Sequence, residues 1–172
     1  MIANQPITVL SFIAVATLFN LGIGWLIKEE KLPLKRAIAY SQAQRQFIKF
    51  WIVVAILLST ILPSIILVNF WNEPIARQFL SLYLLALGME ILNETVFSRL
   101  LCKSIVVVVG TIYTTFICLL WWEGLHLTAY PQPWLSLLWL VMLYWIGNAT
   151  VLITVAWPSI VGEESTERSA NS

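Results

Sequence analysis

Two glutamates, Glu90 and Glu94, stand in a stretch of chain that is otherwise apolar enough to cross a bilayer. A carboxyl group in hydrocarbon is costly and marks a partner, an ion or a proton. Asn93 lies between them, and the spacing i, i+3, i+4 puts all three side chains on one helical face. Two more amides, Asn20 and Asn148, fall at a similar depth in two other apolar segments. Such a set can do three things. Amides can donate to a carboxylate, carboxyls can carry protons or hold a cation, and both can bridge helices. The expectation is an interhelical polar network of Asn20, Glu90, Asn93 and Asn148, with Glu94 nearer the membrane surface. Arg99, five residues beyond Glu94, falls on roughly the opposite face of the helix and is a poor partner.

Other chemistries lack their residues. The chain contains no aspartate, which removes aspartyl proteases and phospho-aspartate sites. Its one histidine, His126, cannot build a bis-histidine haem site or a multi-histidine metal centre. Cys102 and Cys118 lie 16 residues apart, about 24 Å along one helix, so they cannot bridge and are expected as free thiols. Gly22-Ile23-Gly24 lacks the rest of a phosphate-loop fingerprint. No catalytic activity, cofactor, metal or nucleic-acid partner is therefore expected.

The elements that position these residues follow from composition. Of 172 residues, 59% are hydrophobic and 11% charged, against roughly 25% charged in soluble domains. A helical span needs about 20 apolar residues. Five segments reach that length, at 7–27, 50–70, 78–98, 103–122 and 134–157. Backbone in lipid must satisfy its own hydrogen bonds, so each span is predicted helical. The fold class is all-α, a polytopic integral membrane protein with a five-helix bundle as one domain over 1–157. Residues 158–172 read as a short, polar, disordered cytoplasmic tail. Trp25, Trp51, Trp71, Trp121, Trp122, Trp134 and Trp157 fall at span ends, the depth that amphipathic rings prefer.

Charge sets the predicted orientation. One side of a five-span bundle holds Lys28, Lys31, Lys35, Arg36, Arg45, Lys49, Arg99, Lys103 and Arg168, and the other holds only Arg77. That asymmetry predicts an outer N-terminus and a cytoplasmic C-terminus. The basic cluster follows the first apolar run rather than preceding it, so this run reads as a retained helix rather than a signal peptide. A bacterial inner membrane or its equivalent is the expected location.

Several local features carry expectations. The basic loop of Lys28, Lys31, Lys35, Arg36, Arg45 and Lys49 faces anionic lipid or an acidic partner. Pro33 is predicted to open a surface helix at 34–38 that runs into the second span. Pro63, with Ser59 and Thr60 before it, predicts a kink. Glu123 and His126, three residues apart near the outer surface, are too few for a metal site. Ala86 and the Gly147-Asn148-Ala149 patch suit close helix packing. On this reading the chain is a non-catalytic membrane subunit or assembly scaffold, docked on other membrane subunits or on copies of itself. The alternative is a small proton- or cation-coupled transporter that uses Glu90 and Glu94.

Overall fold

The computed structural model describes residues 5–127 and 130–161. Its regular structure among these residues is entirely helical. Five helices form a bundle: α1 (Gln5–Lys28), α2 (Gln42–Asn69), α3 (Pro74–Leu100), α4 (Ile105–Leu127) and α5 (Trp134–Ile160). Each is long and apolar enough to cross a membrane, which supports a multi-pass membrane protein. The five predicted spans match these helices one for one. Residues 162–172, most of the predicted tail, lie outside the described residues; Pro158, Ser159 and Ile160 belong to α5, and the last two are buried.

α4 occupies the centre. It packs on α1, α3 and α5, and its most apolar window is the most buried of the five. α2 is peripheral, and its first half, Gln42–Ala55, has no buried residue. Two principal apolar clusters fill the bundle. One gathers Phe79, Leu80, Tyr83, Trp121, Leu138 and Trp145. The other gathers Ile27, Phe97, Ile105, Val109 and Tyr113.

α2 starts eight residues earlier than hydropathy indicates because Ser41 caps it. Gln44 N–H donates to Ser41 Oγ at 3.3 Å, and Ser41 N–H donates to Gln44 Oε1 at 2.9 Å. This reciprocal box satisfies two backbone donors that a helix start would leave unpaired.

The predicted surface helix at 34–38 does not form. Residues 32–41 instead make an irregular strap across one end of the bundle. Lys35 N–H donates to Ile160 O at 2.9 Å, and Ser104 N–H donates to Arg36 O at 3.3 Å. Leu34 and Ile38 pack on Val107, Ala156 and Ile160. An open path lets both apolar side chains reach inward while its backbone bonds two helix ends; a helix would turn those groups on itself. Tyr40 lies within reach of the Ser159 hydroxyl, and burial pushes its phenol above the ordinary value. α1 ends before the strap in a Schellman turn. Lys31 N–H returns to Leu26 O, and Glu30 N–H to Ile27 O, with Glu30 at φ 59°.

Proline shapes two helices in the same way. Pro63 follows a π-helical turn at Ile56–Ile61, and Pro158 follows another at Leu152–Ala156. Proline has no N–H to offer the carbonyl four residues earlier. For Pro63 that carbonyl belongs to Ser59, and Tyr83 Oη of α3 donates to it at 2.5 Å. The distortion expected at Pro63 is present, and it is tied to a neighbouring helix. The second, at Pro158, was not expected.

Candidate functional site

α3 carries the candidate site because Pro74 opens it at the first turn and no second proline interrupts it before Leu100. Its buried face runs through Tyr83, Ala86, Leu87, Glu90, Asn93 and Phe97, the period of one helical side. Glu90 and Asn93 thus point into the bundle by the same rule that buries their apolar neighbours. Glu94 is half-buried beside them.

The polar residues divide into satisfied and unsatisfied groups. Asn93 Nδ2 donates to Thr17 Oγ1 of α1 at 3.0 Å and to Tyr113 Oη of α4 at 2.9 Å. Asn148 Oδ1 accepts from Trp51 Nε1 of α2 at 2.9 Å, while its Nδ2 donates to Thr114 Oγ1 of α4 at 2.9 Å. Each amide joins three helices. Such interhelical bonds contribute on average about 0.6 kcal/mol in membranes.

Glu90 stands apart from both amide groups. Its Oε2 is buried without a hydrogen-bond partner among the described residues. The charged group that acts on it is another acid, Glu94. Glu94 Oε1 lies against α4 where Gly110 makes room: a Cβ there would stand 3.3 Å from this oxygen and 3.4 Å from Leu152 Cδ2. Glu94 therefore sits beside the π-helical turn of α5. No group of three or more histidine, cysteine or acidic residues placed to hold a metal occurs among the described residues.

The expected single network is therefore corrected. Asn93 and Asn148 belong to separate bonded groups, and neither is hydrogen-bonded to Glu90. Asn20 is fully buried, and neither atom of its amide has a hydrogen-bond partner among the described residues. Contacts between α1 and α3 match Thr17 with Asn93 and Gly24 with Leu101. This register sets Asn20 level with residues 96–97, about six residues or roughly 9 Å along the helix from Glu90. Asn148 does share the level of Glu90. α3 and α4 run antiparallel, with Tyr83 on Trp121 and Asn93 on Tyr113. Glu90 thus falls opposite residues 114–116, and Thr114 holds Asn148.

The basic loop is partly engaged with the protein itself. Lys28 Nζ donates to Leu100 O at 3.3 Å, and Lys31 Nζ stands 4.5 Å from the Trp25 ring centre. Arg36 bonds Lys28 O and pairs with Glu30 at 3.1 Å, while Arg45 Nε donates to Tyr40 O at 3.1 Å. Lys35 and Lys49 side chains make no bond to described residues and remain available to lipid or a partner.

Two positions expected to allow close helix packing do so within the chain. Ala86 is fully buried in the main apolar cluster, and Gly147 lets the Trp51 ring approach α5. Trp51 and Trp121 also depart from the expected surface belt. Trp51 bonds Asn148, and Trp121 is completely enclosed. Trp25, Trp71 and Trp122 remain about half exposed, as belt residues would be. The tyrosines were missed by sequence reasoning. Tyr83, Tyr113 and Tyr144 are buried, with Tyr83 bonded to Ser59 O and Tyr113 to Asn93, and their periodicity on the buried faces was the available signal. No family model, curated protein or solved structure matches the chain.

Proposed function

We propose that the protein is a small proton-coupled membrane carrier, with Glu90 as its proton site and Glu94 as the relay toward the strap end. The observation that carries this reading is the buried Glu90 oxygen, which has no donor or cation beside it among the described residues and a second carboxyl as its charged neighbour. Helix adhesion does not account for such a group, because the adhesive bonds are made by Asn93 and Asn148. Two interacting carboxyls gain and lose protons as a pair, and in this reading the proton moves between Glu94 and Glu90 on its way through the bundle. A proton needs no water-filled pore, which suits five tightly packed helices. In the predicted orientation the strap end is cytoplasmic, and Glu94 takes up protons from that side.

The decisive experiment combines reconstitution with infrared spectroscopy. Protein in liposomes should carry protons down an imposed gradient, read with an enclosed pH-sensitive dye. Glu90→Gln should abolish that flux and remove one carboxyl band from the infrared spectrum, while the protein stays monodisperse. Flux that persists in Glu90→Gln would refute the assignment.

A second reading, the membrane subunit or assembly scaffold, has its own support. α2 presents Thr60, Ser64 and Asn69 along a groove of about 390 Å³ on its outward side. Their side chains bond only their own helix or none of the described residues. A helix from another subunit would fit there better than lipid tails do. Co-purification of a defined second chain, lost in a Ser64→Leu variant, would favour this reading.

A further inference from the structure

We propose that a pocket between the far ends of α1 and α4 binds a lipid with a primary ammonium headgroup. The pocket is independent of the acid pair. It encloses about 570 Å³, within the range of roughly 300–1,000 Å³ typical of small-ligand sites. One wall is apolar, formed by Val9, Phe116 and Leu119. Leu119 is 63% exposed, so this wall opens sideways onto the bilayer.

Three polar groups meet at the other end. Gln5 is 8% exposed, and its side chain makes no hydrogen bond among the described residues. Glu123 has no ion pair among them. His126 Nδ1 lies 2.7 Å from Trp122 O. A carbonyl can only accept, so Nδ1 carries the hydrogen and Nε2 is the ring nitrogen left for a ligand. The end of the pocket therefore offers an anionic carboxylate, an imidazole nitrogen and an amide oxygen. A primary ammonium brings three N–H donors and one positive charge, matching this set. A trimethylated ammonium brings the charge without the donors. The acyl chains would follow Val9, Phe116 and Leu119 into the membrane.

Native mass spectrometry tests the assignment on the intact chain in detergent. Phosphatidylethanolamine and phosphatidylcholine with identical acyl chains are titrated separately, with dodecylamine as a free amine. Phosphatidylethanolamine should bind about tenfold more tightly than phosphatidylcholine. That preference should disappear in Glu123→Gln and in His126→Leu. Both residues are exposed, so the fold should be unaffected. Leu119→Trp should weaken both lipids by filling the tail channel. Equal binding of the two lipids, or a preference that survives the double variant at 123 and 126, would overturn the proposal. Tighter binding of dodecylamine than of phosphatidylethanolamine would overturn the lipid as occupant.

Discussion

The two halves of the bundle solve opposite problems. In the half away from the strap, large aromatic rings fill the space between α3, α4 and α5. Trp121 meets Phe79 and Tyr83 edge-on, with ring centres 5.2 and 5.1 Å apart. A polar chain runs through them: Trp145 Nε1 donates to Tyr83 Oη at 3.2 Å, and Tyr83 donates to Ser59 O. Gly124 admits the Phe79 ring where a Cβ would collide with it. In the strap half, Phe97 and Tyr113 pack among smaller side chains such as Ile27, Ile105 and Val109, and Glu90 Oε2 and the Asn20 amide are buried without hydrogen-bond partners among the described residues. Lipid tails are as apolar as the core, so packing rather than water exclusion holds such helices together. The aromatic half supplies that packing.

This contrast fixes the sign and size of substitution effects. Trp121→Ala should destabilise most, by about 3–5 kcal/mol, through the cavity it leaves. Reversible unfolding in bicelles or mixed micelles would measure it; a loss under 1 kcal/mol would erase the distinction between halves. Glu90→Met should act in the opposite direction. Replacing an unpaired buried carboxyl with an apolar chain of similar length should stabilise by about 1–3 kcal/mol. A destabilised Glu90→Met would mean that Glu90 has a partner in the membrane. Tyr83→Phe keeps the ring and removes the hydroxyl, leaving the Ser59 carbonyl without its donor. The expected cost is about 1–2 kcal/mol, accompanied by faster amide exchange at Ile56–Ile61. The smallest effect is expected at the turn that ends α1. Glu30→Gly relieves a left-handed backbone at the loss of an exposed ion pair with Arg36. A net gain of about 0.5–1 kcal/mol follows, since such a pair contributes little.

What sequence could reveal divides along physical lines. Continuous apolar runs gave all five helices, because length and hydropathy alone decide whether a segment can span. The inward direction of Glu90 and Asn93 was legible from helical spacing. The depth of Asn20 relative to Glu90 was not. That register depends on how α1 settles against α3, with Gly24 beside Leu101 and Ile105. Tryptophan at a span end has two solutions, a lipid surface or a buried bond. Trp51 takes the second because Asn148 offers an acceptor and Gly147 leaves room. The strap escaped because its backbone partners lie far away in sequence. The true start of α2 was nonetheless written in Ser41-Gln42-Ala43-Gln44, a capping box that hydropathy overlooks.

The strap also sets an order of events during synthesis. Its Lys35 N–H bonds Ile160 O, and Leu34 and Ile38 rest on Ala156 and Ile160. The connection between the first two helices is therefore completed by the last turns of the fifth. A chain emerging from the ribosome folds its N-terminal parts first. Until α5 arrives, this connection has only Ser104 and Val107 to hold it, and lacks the Ile160 acceptor and most of its apolar floor. A chain cut before Ala156 would keep most of α5 yet lose the Ile160 acceptor and two of the three residues on which Leu34 and Ile38 rest. The last turns of α5 thus close the connection between the first two helices.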